Sequence, residues 1–102
     1  MCRVKAKVKG KPVILQTMGY RGKSEAKTPL ADLRQARTMV VPKSEARKIG
    51  LKVGSTVTVK IGKAKIPAEV KRWSYGSRLL VPKEEYPFKR LSTKTLSKYL
   101  IP

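Results

Sequence analysis

The sequence predicts a β-rich α+β fold: two similar β-hairpin/strand/short-helix motifs, each half-barrel-like, packed about a pseudo-twofold axis. Three observations predict it. Runs that alternate apolar and charged residues recur with the period of a half-buried strand. Glycine and proline punctuate those runs at short intervals. The tripeptide Val41-Pro42-Lys43 returns as Val81-Pro82-Lys83, each copy after two apolar residues. At 102 residues the chain is one domain's worth. Motif one covers residues 1–54, with a helix inserted at 29–36, and motif two covers 55–102.

The elements follow in order. Arg3, Lys5, Lys7 and Lys9 alternate with Val4, Ala6 and Val8, which places cations on one strand face and apolar groups on the other. Gly10-Lys11 reads as a tight turn, and Pro12 opens the returning strand over 13–17, where its missing amide costs the ladder least. Residues 19–24 form a basic loop. Thr28 and Pro29 are an N-cap and a first helical position, and Leu30, Leu33 and Ala36 or Arg37 are spaced for a short amphipathic helix.

Residues 38–41 read as a buried strand ended by Pro42. Ser44 caps one or two helical turns over 45–49, which stop at Gly50 because glycine tolerates the left-handed conformation of helix ends. Val57, Val59 and Ile61 alternate with Thr56, Thr58 and Lys60 in the next strand. Gly62-Lys63 turns it back into a strand with Ala64, Ile66, Ala68 and Val70 inside. Pro67 predicts that this return strand lies at an edge or carries a bulge. Residues 79–81 form a second buried strand ended by Pro82, and residues 84–86 make one turn before Pro87. Ser92 opens a last helix in which Leu91 and Leu96 form a hydrophobic staple, with Tyr99 and Leu100 completing its inner face.

The repeat extends beyond the two Val-Pro-Lys segments. Gly10-Lys11 matches Gly62-Lys63, and the loops match as Tyr20-Arg21-Gly22 and Trp73-Ser74-Tyr75-Gly76. Gly10 to Pro42 is 32 positions and Gly62 to Pro82 is 20, and the 12 extra are what the inserted helix needs. A groove is expected between the two motifs.

Composition restricts function. Lys and Arg total 25 against six acidic residues, a formal net charge of +19 that seeks anions. There is no histidine, and Cys2 is the only cysteine, which removes imidazole catalysis, the usual zinc ligand sets and internal disulfides. Ser24-x-x-Lys27 matches an acyl-transfer spacing that chance alone supplies in a chain this rich in lysine, and Gly62-Lys63 lacks the earlier glycine of a phosphate loop. The expectation is a protein that is not an enzyme and takes neither cofactor nor metal. The longest apolar runs, such as residues 39–41, are three residues long, so no membrane span and no secretory leader is expected, and the location is intracellular. Asparagine is absent, which together with abundant lysine predicts a thermostable protein.

Two resemblances sharpen these expectations. Residues 37–61, with Val40-Val41-Pro42, Arg47, Ile49-Gly50-Leu51, Gly54 and Val57-Thr58-Val59, resemble the AbrB-like family of swapped-hairpin DNA-binding domains. That resemblance implies two interleaved strand-helix-strand units presenting Arg37, Lys43, Arg47 and Lys48 to DNA. The chain as a whole resembles a small protein of an Acidianus filamentous virus, an archaeal virus of hot acidic hosts. This implies a viral protein of the host cytoplasm, with a fold of two similar motifs.

The residues expected to contact nucleic acid are Arg3, Lys5, Lys7, Lys9, Lys11, Arg37, Lys43, Arg47, Lys48, Lys71, Arg72, Arg78 and Lys83. The β-strand stripe is the sharpest of these signals. Its alternate residues stand about 6 to 7 Å apart, close to the spacing of phosphates along one strand; the competing reading is a solvated lysine edge. Tyr20, Trp73 and Tyr75 are candidates for stacking on bases or for contact with a partner, against a plainer role capping the core. The leading expectation is therefore phosphate-backbone binding. The alternative is a protein-interaction module that takes an extended peptide in the groove or at a strand edge.

Overall fold

The computed structural model describes residues 3–18, 28–83, 88 and 91–101. The expected basic loop at 19–24 with Tyr20, and the turn at 84–86, lie outside the described residues.

Among the described residues there are seven strands and three short helices: β1 (Arg3–Val8), β2 (Lys11–Met18), α1 (Pro29–Gln35), β3 (Thr38–Val41), α2 (Lys43–Ile49), β4 (Thr56–Ile61), β5 (Ala64–Arg72), β6 (Arg78–Pro82), α3 (Thr93–Tyr99) and β7 (Leu100–Ile101). Every pairing is antiparallel, and the order β1-β2-β3-β6-β5-β4 returns to β1 through Lys7 opposite Lys60 and Val8 opposite Val59. Six strands thus close into a barrel, and β7 adds to β1 beside the closure, with Val4 opposite Leu100.

The alternation in the sequence drives this closure. Val4, Ala6 and Val8 of β1, Val13 and Leu15 of β2, Val57, Val59 and Ile61 of β4, and Ile66, Ala68 and Val70 of β5 are all buried in one cluster. Their polar neighbours along the strands face outward. Met39, Val41 and Leu80 complete the interior, while Leu33, Phe88, Leu91 and Leu96 join the same cluster. Of the expected second buried strand over 79–81, only Leu80 is buried, and Leu79 and Val81 are half-exposed. These two face outward in register with Lys71 and Glu69 of β5.

Both hairpin turns are two residues long but use glycine differently. The first turn is Lys9-Gly10, not Gly10-Lys11, with Val8 opposite Lys11 and positive φ at both residues, 55° and 76°. That is a type I′ turn, with glycine second. In the second turn Ile61 is opposite Ala64 and Gly62 comes first, at φ 63°. The two glycines therefore sit one place apart in turns of equal length.

Helix boundaries follow their caps. Thr28 accepts the Ala31 N–H at 3.2 Å and Pro29 holds the first helical position of α1, as the sequence predicts. Helix α2 instead starts at Lys43 with Pro42 before it and no side-chain cap, so Ser44 lies inside the first turn rather than capping it. Gly50 ends α2 at φ 64°, and the Leu51 N–H reaches back to the Ala46 carbonyl at 3.1 Å. This is a Schellman closure in which Ala46 and Leu51 both join the core. Ser92 caps α3 by accepting the Thr95 N–H.

Strand β5 is interior, between β4 and β6, so Pro67 does not mark an edge strand. It is tolerated because β6 ends at Pro82, just where Pro67 would need a second partner; there the Lys83 N–H donates to the Pro67 carbonyl at 3.0 Å.

Candidate functional site

The strand directions give the barrel two distinct ends. β3 finishes and β6 begins at one end, which α2 covers; there Lys9 and Lys11 donate to the carbonyls of Gly50 and Lys48 at 3.1 and 3.4 Å. The opposite end carries the Gly62-Lys63 turn, α1 and α3, with Arg34 of α1 donating to the Thr93 hydroxyl of α3. The basic residues divide among these ends and the wall between them.

On the wall, Arg3, Lys5 and Lys7 project from β1 into solvent, as the alternation requires. The ring closure sets Lys60 beside Lys7, and the β4–β5 hairpin sets Lys65 beside Lys60. Three lysines thus stand side by side across three strands, where directly opposed side chains have β-carbons about 4.5 to 5.5 Å apart and like charges repel. Lys9 does not continue the stripe: its left-handed backbone and its bond to Gly50 turn it toward α2.

Below this row the wall is indented. A depression of about 490 Å³ is bounded by Lys5, Ala6, Lys7, Lys60, Gly62 and Tyr99. A second, of about 710 Å³, continues past Gly62 and Tyr99 to Lys63, Lys94 and Lys98. Among the described residues that line them there is no acidic side chain. Tyr99, read from sequence as an inner-face residue, is half-buried and forms the rib between the two hollows.

At the α2 end, Lys43, Arg47 and Arg78 line a cleft of about 170 Å³ whose other walls are Ala46, Leu51 and the backbone of Gly50 and Gly76. Arg72 stands directly opposite Arg78 across β5 and β6. The β5–β6 loop beside the cleft carries Trp73 and Tyr75 in edge-to-face contact, with ring centroids 4.8 Å apart and planes at 70°. Trp73 is half-buried, but Tyr75 is 79% exposed.

Other expected site residues lie elsewhere. Arg37 precedes β3 and Lys43 follows it, so the pair stand at opposite ends of a four-residue strand, about 13 Å long. Arg37 is half-buried and already engaged. Lys48 is exposed on α2, 3.9 Å from Glu45, and Lys83 lies just past β6 at the Gly62 end. Lys71 is exposed on the outer face of β5 opposite Leu79.

No family model, curated protein or solved structure matches this chain. Sequence reasoning missed Lys60, Lys63, Lys65, Lys94, Lys98 and Tyr99 as surface contributors. Their alternation and helical spacing were readable, but their neighbours across strands come from pairings distant in sequence. Among the described residues no helix is long and apolar enough to cross a membrane.

Proposed function

We propose that this protein is a non-enzymatic module that binds nucleic acid through its phosphate backbone. One observation carries the reading: Lys7, Lys60 and Lys65 are set side by side across three strands, in line with Lys5 and Arg3 along β1. Such a row stores repulsion that a polyanion relieves, and counterion release adds to the gain. The net charge of +19 favours encounter with any phosphate chain.

The test is gel retardation of unrelated DNA and RNA, as duplexes and single strands, across a salt series. Binding is expected at low salt and should weaken steeply toward physiological salt. Absence of any shift at low salt overturns the reading.

A second reading, uptake of an extended peptide, has one observation in its favour. On the side of β1 away from β2, Arg3 and Val4 pair with β7 and Lys7 and Val8 pair with β4, leaving Lys5 and Ala6 at a notch between them. A peptide held there by backbone and apolar contacts would bind with little dependence on salt.

The ring also supports an origin by internal duplication. Exchanging β1, β2 and β3 with β4, β5 and β6 leaves the order of neighbours in the barrel unchanged.

A further inference from the structure

We propose that the α2 end of the barrel is a single-strand site, in which a phosphate sits among Lys43, Arg47 and Arg78 while an unstacked base lies on the ring of Tyr75. This rests on the phosphate-binding reading and narrows it from any nucleic acid to strands whose bases are free.

Four features of this end point to such a ligand. The three cations converge on one cleft, and Arg72 adds a fourth charge directly opposite Arg78. Like charges placed directly opposite destabilise the bare sheet, and an anion between them removes that cost. The cleft takes part of its lining from Gly50 and Gly76, where no side chain obstructs approach to the backbone. Tyr75 leaves most of its surface in water, yet the edge-on contact with half-buried Trp73 holds the ring in place. A base offers a face to such a ring only when it is unpaired and unstacked. A duplex offers phosphates alone, which suit the lysine row on the wall.

Trp73 is the only tryptophan in the chain and touches Tyr75, so its emission reports occupancy directly. The 102-residue chain is titrated at low salt with oligo-dT, with oligo-U and with a DNA duplex of mixed sequence, following emission and retardation together. A change in emission with either single strand and none with the duplex is the expected result. Tyr75→Ala should weaken single-strand retardation roughly 5- to 150-fold and leave duplex retardation unchanged. Arg47→Gln, on the exposed face of α2, should weaken single-strand binding without altering the circular dichroism spectrum. Retardation of both ligands with unchanged emission, or equal loss of both in Tyr75→Ala, overturns the single-strand site and leaves phosphate binding standing. Failure of every ligand to bind removes both proposals.

Discussion

The Tyr99 ring lies against Gly62, so close that a β-carbon on the glycine would stand 3.0 Å from Tyr99 Cε2 and 3.4 Å from the Thr95 methyl. The β4–β5 turn needs glycine here on two grounds. Its first position requires φ near 63°, and the helix α3 that closes this end of the barrel rests its ring on the turn.

Gly62→Ala is therefore expected to destabilise the protein by more than Gly10→Ala. Both place alanine in left-handed backbone, a strain of about 1 to 2 kcal/mol, but nothing lies within 4 Å of a β-carbon at Gly10. Thermal denaturation should show the larger loss for Gly62→Ala, with the two costs converging once Tyr99 is truncated to alanine. Equal costs in the parent background would mean that the ring gives way freely.

Replacing Lys5, Lys7 and Lys60 together with glutamine should reduce nonspecific nucleic acid affinity without lowering the melting temperature, because all three are exposed and the Lys7–Lys60 repulsion is relieved. On duplex DNA the salt slope should fall by about 2 to 3 units, close to one for each phosphate that is no longer neutralised. Lys9→Gln is the contrasting variant. Its ammonium bonds the Gly50 carbonyl, so it should lower stability by up to about 1 kcal/mol while leaving the slope nearly intact. A Lys9→Gln protein with the reduced slope instead would return that residue to the stripe.

Ser92→Ala should cost about 1 kcal/mol, since the Ser92 hydroxyl receives the Thr95 N–H at the start of α3. In a domain of this size that lowers the midpoint by roughly 4 to 8 °C. Ser44→Ala should be nearly silent, because no side chain caps α2. Chemical denaturation of the two variants side by side separates them.

Much of the barrel is legible in the sequence because its signals are local. The alternation in β1, β4 and β5, the Thr28-Pro29 and Ser92 caps and the Gly50 stop all act within a few residues. The differences arise where one residue type serves two geometries. Glycine can take either central place of a two-residue hairpin turn, and Gly10 takes the second because Lys9 fills the first. Ser44 has the chemistry of a cap, but Pro42 already sets an extended backbone from which Lys43 starts the helix. Strand β7 leaves no signal, since two residues after a helix cannot show a period; only their pairing with Arg3 and Val4 makes them a strand. The stripe on β1 is readable as well. That it widens through Lys60 and Lys65 is not, because neighbours across a closed ring are set by long-range register.

The closure of the ring also bears on how the protein is made. The first hairpin is complete within the opening eighteen residues, but the second neighbour of β1 is β4, and β7 joins it only at Leu100 and Ile101. On a ribosome that hairpin waits while some forty further residues emerge before Lys60 can reach Lys7. Loops this long make that closure slow, so the lysine row, which needs β1 against β4 and β4 against β5, comes into being only after the second hairpin has been made.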